Sequence, residues 1–545
     1  MNYHHKLKKH QSDLKWDDYC AFLNLSLEEF TLIQNRLLKE QLLLWNNSPI
    51  GQHFLKGENP KTLAEFRSAV PLTCYDDYAD FLLNRQEHLL PEPPVTWIET
   101  TWEGGKHPIK AAPYTQAMLN TFEHNLLAIA SIASCDNLDT KRVRLRRHDR
   151  ALFGLAPLPY VTGLFPPLLE NKLNFRFLPP VREANAMGFG ERNKKGFAMG
   201  LEQGIDIFFG LTSVVHYMTE TFINQAAQPK GSHQYSLKKI SPKMCWRFLQ
   251  AKRHCQEEKR PLMPKDLFRL KAFLCSGTDS ALYKDRLEET WGIRPHEAFA
   301  GTECALVATE TGSQSGMVFF PDANFYEFIP ETEYHKNRLD PNYTPTTCLF
   351  SELEEGQNFE LVITSLKGGV FARYRTGDMF RCLHKYGDKM TKLPLLQYVD
   401  RVPTTIDIAS FTRITERSIR EVIDLSGQPI KDWFVKKEYS RDQKPFMHLY
   451  AEIDVSALDY TAVCEELLTD QLKACFKYFD ADYDDLEKML GIAPLQLTLL
   501  KSGALNDYYQ ATGNQLLPMN PSTHDINTFM NWTAQTNRKK GPVMT

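Results

Sequence analysis

Arg373-Tyr374-Arg375-Thr376-Gly377-Asp378 is the run on which the reading of this sequence turns. It follows Phe359-Glu360-Leu361-Val362-Ile363-Thr364, an apolar segment that reads as a strand, and a Lys367-Gly368-Gly369 turn leading into Phe371 to Tyr374. Side chains alternate along a strand, so Arg373 and Arg375 share one face and Tyr374 takes the other. Gly377 lets the backbone come close to a ligand. Asp378 emerges at the strand end, where a carboxylate can accept both hydroxyls of a ribose. An Arg/Asp hairpin alone is usually a surface ion pair, so the run gains meaning from its companions.

Three companions precede it. Phe299-Ala300-Gly301-Thr302-Glu303 follows a short strand over Glu297 to Ala300, with small residues that admit a nucleotide and a glutamate able to hold Mg²⁺. Ser276-Gly277-Thr278 ends the strand Ala272 to Cys275, in a position suited to an adenine edge, and a helix is expected over Ser280 to Trp291. Asn324 to Pro330 is an aromatic strand. Each alone reads as core packing; their order and spacing favour a site.

Further out, Ser26-Leu27-Glu28-Glu29 is a capping box, followed by Phe30, Ile33, Leu37 and Leu44 on one helical face. Leu63 to Tyr78 contains a short helix ended by Pro71. Leu90 to Pro94 is a rigid connector into a strand over Val95 to Thr100, then Glu103-Gly104-Gly105-Lys106 and a helix from about Thr115. Past Asp400-Arg401 a new unit begins, read as two strand–helix repeats with acidic helices and a polar tail. Strands alternating with helices predict an α/β architecture with a boundary near residue 400, giving domains 1–400 and 401–545.

Composition narrows the classes. At 545 residues the chain needs more than one core. A net charge of −3, from 64 basic and 67 acidic residues, offers no basic excess for a nucleic-acid partner. The basic start around Lys6, Lys8 and Lys9 lacks the apolar stretch of a leader, and Ile207 to Val215 is far short of the roughly 20 residues a membrane span needs. Eleven scattered cysteines without a CxxC pair point to reduced thiols in a cytoplasmic compartment. The Asp480, Asp482, Asp484 run fails as a calcium loop, having Asp485 and Gly491 where glycine and glutamate are needed, and reads as a solvated helix start. Gly312 to Gly316 is a polar turn, because Gln314 stands where a nucleophile elbow needs serine.

Taken in order, these motifs resemble the acyl-acid amido synthetases of the Gretchen Hagen type, within the adenylate-forming, luciferase-like superfamily that also holds the acyl-CoA ligases. The likeness covers nearly the whole chain. It starts at Phe66-Arg67-Ser68-Ala69-Val70-Pro71-Leu72-Thr73-Cys74-Tyr75-Asp76-Asp77-Tyr78 and continues through Ser276 to Thr278, Phe299 to Glu303, Tyr326 to Pro330 and Arg373 to Asp378. It ends with Asp400-Arg401 and Arg413-Ile414-Thr415-Glu416. The resemblance implies a large N-terminal domain, a small mobile C-terminal α/β domain, and a two-step reaction. A small carboxylic acid attacks ATP to give an acyl-adenylate, and an amine or amino acid then displaces AMP to form an amide.

By the same resemblance Asp378 holds the ribose, Glu303 the Mg²⁺, and Ser276, Gly277 and Thr278 with Phe299, Ala300, Gly301 and Thr302 the adenine. Arg401 acts at the hinge. Arg373 or Arg375 places positive charge near the phosphates or packs against the neighbouring strand. Thr100, Thr101, Gly104, Gly105 and Lys106, with Lys110, stand in the phosphate loop, while Phe153 to Thr162 and Phe208-Phe209 supply an acyl pocket or core. A monomer or weak dimer is implied.

Two departures stand out. Trp102 and Glu103 put bulk and negative charge into a loop that in the family is Ser/Thr/Gly-rich. Near the C-terminus, Gln515-Leu516-Leu517-Pro518 has Leu517 where the family has a lysine, and no lysine lies between Lys501 and Lys539. The alternative is therefore a member that no longer adenylates: a condensing enzyme using a preactivated acyl thioester or carrier protein, or a nucleotide-binding or interaction protein.

Overall fold

The computed structural model describes residues 14–101, 109–135, 141–227, 240–313, 315–410, 412–453, 465–479, 483, 486–487 and 491–539. Trp102 to Lys106, Gln314, and Asp480, Asp482, Asp484 and Asp485 of the acidic run lie outside them. The chain divides into two compact units, with the change at Asp400–Arg401.

The first unit is built on an eleven-stranded sheet. Its strands are β3 (Arg150–Gly154), β4 (Arg176–Leu178), β5 (Ile207–Leu211), β6 (Ala272–Ser276), β7 (His296–Gly301), β8 (Ala305–Glu310), β9 (Met317–Phe319), β10 (Asn324–Pro330), β11 (Asn358–Ser365), β12 (Tyr374–His384) and β13 (Leu395–Arg401), while β1 (Thr96–Thr101) and β2 (Ile109–Tyr114) form a separate hairpin. The order is β10-β11-β12-β13-β9-β8-β7-β6-β5-β3-β4. The half from β4 to β7 is parallel, and the pairs β7–β8, β8–β9, β10–β11 and β11–β12 are antiparallel.

The central parallel strands β5 and β6 are apolar almost throughout because both faces are covered. Alternation sorts their side chains into two layers. Phe208, Phe273 and Cys275 meet Phe197 and Leu201 of one helix and Trp291 of another, whereas Phe209, Ala272 and Leu274 join Phe122 and Leu126 on the opposite face. Phe208 stacks on Phe273 with ring centroids 5.4 Å apart. Each buried Phe or Leu among them is worth about 1.5–3 kcal/mol. The helices concerned are α2 (Gln116–Ala133), α3 (Phe189–Gln203) and α4 (Ser280–Trp291), after the long α1 (Leu27–Asn46). Ser26 caps α1 as the sequence predicts: its Oγ accepts from Glu29 N at 3.1 Å and Glu29 Oε2 accepts from Ser26 N at 2.8 Å.

Polar residues of α1 fix the turn before β12. Gln41 Nε2 and Trp45 Nε1 both donate to Gly369 O at 2.9 Å, and Gly368 N donates to Gln41 Oε1 at 2.8 Å. Gly368 has φ 86°, and a Cβ there would lie 2.6 Å from Glu92 Cγ, so glycine is required. The strand expected from Phe371 begins instead at Tyr374, because Arg373 has φ 44° and the segment before it is held from outside the sheet. Thr73 N donates to Arg373 O at 3.0 Å, Arg375 N to Thr73 O at 2.9 Å, and Ala372 N to Tyr78 Oη at 2.8 Å. The Phe66 to Tyr78 segment is thus a brace for the run that follows it by about 300 residues.

The second unit opens with a hairpin of β14 (Thr405–Ile408) and β15 (Thr412–Thr415), then α5 (Glu416–Ser426). A three-stranded sheet follows, β16 (Ile430–Tyr439) antiparallel and β18 (Leu495–Leu500) parallel to β17 (Pro445–Ile453). Helices α6 (Glu465–Phe479), α7 (Ala504–Thr512) and α8 (Thr523–Lys539) complete it. Phe434, Tyr450, Tyr508 and Phe529 form its core. The expected pair of strand–helix repeats is therefore a hairpin and helix, then two antiparallel strands before the next helix. No helix among the described residues is long and apolar enough to cross a membrane.

Candidate active site

A register break shapes the decisive run. Glu360 faces Met379 and Val362 faces Arg375, so Thr376, Gly377 and Asp378 bulge out opposite Leu361. Gly377 takes φ 73°, which its missing Cβ permits. Thr376 Oγ1 holds the bulge from both sides, donating to Leu361 O at 3.1 Å and accepting from Asp378 N at 3.2 Å. Asp378 ends up buried, 5% exposed.

Both arginines are engaged by carboxylates of neighbouring strands. Arg373 donates through Nε and Nη2 to Glu327 of β10, each at 3.0 Å, and through Nη1 to the carbonyls of Arg67 and Val70 at 2.8 Å. Arg375 grips Glu360 of β11 with Nε at 3.0 Å and Nη2 at 2.6 Å, while Nη1 reaches Asn337 Oδ1 at 2.9 Å. Of the two roles open to them in the sequence, this geometry is the strand-to-strand one. Burial pushes the Glu360 carboxyl up, more than the Arg375 guanidinium pulls it down, and the charge of Asp378 adds to the rise.

On the opposite face Tyr374 joins a three-membered network. Glu303 Oε1 accepts from Tyr374 Oη and from Lys110 Nζ, both at 2.6 Å, and Lys110 Nζ also donates to Tyr374 Oη at 2.9 Å. Lys110 is 4% exposed and lies 5.4 Å from the Tyr75 ring centroid. Burial acts to raise the Glu303 carboxyl, but the Lys110 ammonium and the Tyr374 hydroxyl outweigh it and hold the group at about 2. The turn carrying Glu303 is fixed on both sides: Tyr114 Oη donates to Thr302 O at 2.9 Å and Asn324 Nδ2 to Cys304 O at 2.6 Å. Across the β1–β2 hairpin Lys110 stands opposite Thr100, and Thr101 opposite Ile109; Gly104, Gly105 and Lys106 lie outside the described residues.

The remaining site residues gather at the ends of β6 and β7, which run side by side and parallel. Ser276 and Gly277 are held by Thr212 Oγ1 donating to Ser276 O at 3.1 Å and Ser280 Oγ to Gly277 O at 2.8 Å; Thr278 follows directly. Phe299 stacks on Tyr398 at 5.4 Å and meets Phe380 edge-on at 5.0 Å. Ala300 and Gly301 lie beyond a register shift in β7, and a Cβ on Gly301 would fall 2.7 Å from Cys304 Sγ. Strand β12 therefore touches Glu303 through Tyr374 and Phe299 through Phe380, with Asp378 between them in the strand. Arg401 closes β13.

Sequence reasoning missed one member of this arrangement and one contact. Tyr398, stacked on Phe299, sits in an unremarkable apolar strand. The sequence places Lys110 with the phosphate loop, but its pairing with a glutamate 193 residues away had no local signal. Among the described residues no cluster of three or more acidic, histidine or cysteine side chains is placed to hold a metal ion.

Residues 317–401, from β9 to β13, match the GH3 family central domain; they include Tyr374, Arg375 and Asp378. No curated protein matches the sequence. Among solved structures, 2-hydroxyisobutyryl-CoA ligase in complex with 2-HIB-AMP and CoA is similar, at 15% identity over 90% of this chain and 94% of that one, with a TM-score of 0.54. The acyl acid amido synthetase AtGH3.15 in complex with 2,4-DB is 15% identical over 92% and 93%, with a TM-score of 0.48. The amide bond synthetase McbA from Marinactinospora thermotolerans is 11% identical over 79% and 68%, with a TM-score of 0.43. Two findings therefore stand together: residues 317–401 match the GH3 family central domain, and the chain shares its fold with 2-hydroxyisobutyryl-CoA ligase.

Proposed function

We propose that this protein is an AMP-forming acyl-acid amido synthetase. It activates a small carboxylic acid with ATP and passes the acyl group to an amine or amino acid. The observation that carries the reading is β12, whose Tyr374 and Phe380 touch Glu303 and Phe299 and whose bulge presents Asp378 between them. A carboxylate is a poor acyl donor, and joining it to AMP supplies a leaving group.

In this reading Ser276, Gly277 and Thr278 with Phe299, Ala300, Gly301 and Thr302 frame the adenine, Phe299 being steadied by Tyr398. Asp378 accepts from the ribose hydroxyls. Thr100, Thr101, Gly104, Gly105 and Lys106 receive the phosphates, Arg375 secures the bulge through Glu360, and Arg401 serves as the hinge. Glu303 suits Mg²⁺ as a single protein ligand: both of its side-chain partners bond Oε1, it stays ionised, and Mg²⁺ typically takes one or two carboxylates plus phosphate oxygens. Mg²⁺ bound there would neutralise charge on the triphosphate. Lys110 keeps the Glu303 carboxylate oriented and charged. We place it in the cytoplasm, as a monomer or weak dimer, on the resemblance.

The test is AMP release from the full chain given Mg-ATP, a pool of carboxylic acids and a pool of amino acids. AMP that requires both pools is the expected result, and mass spectrometry of the product names the substrates. AMP with acids and CoA alone would make it a thioester-forming ligase. Bound ATP without AMP would leave a member that condenses an acyl thioester, and the reading would fall.

A further inference from the structure

Arg192 is the one arginine in the described core that has no carboxylate. It is 0% exposed, and no ion pair joins it among the described residues. Its Nη2 donates to Leu155 O, while the N–H on Nε and both on Nη1 have no acceptor among the described residues. Its guanidinium is held down to about 10 by burial, with no carboxylate opposing the fall. Buried charges are normally paired, and buried donors nearly always bonded, so this group needs an explanation.

Its place in the helix makes the oddity sharper. Arg192, Gly196 and Gly200 fall four apart on α3, on the face turned to the sheet. Gly196 lets the helix sit close, since a Cβ there would lie 2.7 Å from Leu178 O and 2.8 Å from Leu152 Cδ1. An apolar side chain would serve packing at position 192. The guanidinium instead stays beside the first turn of α3, 5.2 Å from the Phe189 ring centroid, and that turn begins at Gly188 without a side-chain cap. Glu191, the acidic residue of the turn, is exposed. Leu155 directly follows β3, so Arg192 lies at the C-terminal ends of the parallel strands, the same end as Ser276 to Thr278 after β6. That end is where open α/β sheets bind ligands.

We propose that Arg192 anchors a carboxylate subsite, taking either a second carboxylate of the acid donor or the α-carboxylate of an amino-acid acceptor. The proposal rests on the ligase reading for the source of the carboxylate. The uncapped helix terminus adds positive potential to the unpaired N–H groups. A planar guanidinium discriminates a carboxylate from an ester or amide, which lack the charge.

The test uses the full chain with thermal shift and titration calorimetry. The probes are linear dicarboxylates from malonate to suberate with their monomethyl esters, and the proteinogenic amino acids with their amides. At least one acid of either panel should raise the melting midpoint saturably, and its ester or amide should not. The panel that responds names the source. In R192M that ligand should bind at least tenfold more weakly, while the ligand-free midpoint stays equal or rises because an unpaired buried charge is gone. Should R192M not fold, R192K keeps the charge and loses the planar fork, and should also weaken binding tenfold. Equal affinity in parent and variant, or no response to either panel, overturns the subsite. AMP release from a monocarboxylic acid that is indifferent to R192M would keep the ligase reading and reject the subsite; Arg192-dependent binding without AMP release would do the reverse.

Discussion

Replacing Lys110 by methionine isolates the energetics of the Glu303 network. In the parent the carboxyl is held at about 2 against an ordinary 4.5. At 1.36 kcal/mol for each tenfold change in proton affinity, that difference is worth about 3 kcal/mol of stability. The sign follows from the direction: a carboxyl depressed in the folded state stabilises fully above about 4.5, and the gain drains away as pH falls from there toward 2. Lys110→Met removes the largest opposing influences and leaves the Tyr374 hydroxyl and the backbone N–H of Glu303, so burial prevails and the carboxyl moves above its ordinary value. The variant then loses stability as pH rises past 4.5. Breaking a buried pair by removing one partner costs about 3–5 kcal/mol, so at pH 7 the first unit should melt several degrees lower. At pH 4 the gap should narrow, because the unfolded chain's carboxyl is by then largely protonated. Adding Glu303→Gln to Lys110→Met should recover much of the loss at pH 7, since the new amide oxygen can still accept from Tyr374 without carrying a charge. Scanning calorimetry at the two pH values reads both effects. A drop of equal size at pH 7 and pH 4, or no recovery in the double variant, would refute the account of why Glu303 stays ionised.

Three more expectations come from the same strand and from the C-terminal departure. Gly377→Ala forces a Cβ into φ 73° and should cost about 1–3 kcal/mol while weakening ATP binding, read by calorimetry and nucleotide titration. Arg373→Met leaves the buried Glu327 carboxylate to Arg67, at 3.1 Å, and Thr347, and should destabilise by less than the about 3–5 kcal/mol of a fully stranded charge, a loss that Arg373→Met with Glu327→Gln should reduce. Leu517→Lys restores the charge that the family carries there. It should raise the rate of AMP formation toward the hundred- to thousandfold that one transition-state charge contact is commonly worth.

Local signals carried far in this chain. Asn324 to Pro330 and Ser280 to Trp291 are a strand and a helix with the bounds the sequence predicts, and the Ser26 capping box forms atom for atom. What local pattern could not carry was polar residues turned inward. On α1 the apolar stripe marks the buried face, yet Gln34 and Gln41 share it. Gln34 meets Tyr326 N at 3.1 Å and Asn324 O at 2.7 Å, and Gln41 meets the turn before β12. A glutamine in a helix looks solvent-facing until its partner, some 300 residues on, is known. The same limit hid Tyr398 and the partner of Lys110. The alternation that put Arg373 and Arg375 on one face was sound, but only the strands packed beside them supply Glu327 and Glu360. Arg192 was passed over because charged residues are common on helices, and only burial makes this one unusual.

The brace formed by Thr73 and Tyr78 bears on how the site comes into being. Thr73 pairs with the strand at Tyr374, and both residues grip Ala372, so backbone geometry at the bulge depends on chain made long before β12. Contacts this distant in sequence close large loops and form late. The matched segment 317–401 also lends β9 and β13 to the middle of a sheet completed by β8 and β7. Expressed alone, that segment would bare the edge of β9 that β8 covers and lack its brace. It is a signature of ancestry rather than a unit of folding, and the run it contains acquires its working shape only when the two ends of the first unit have met.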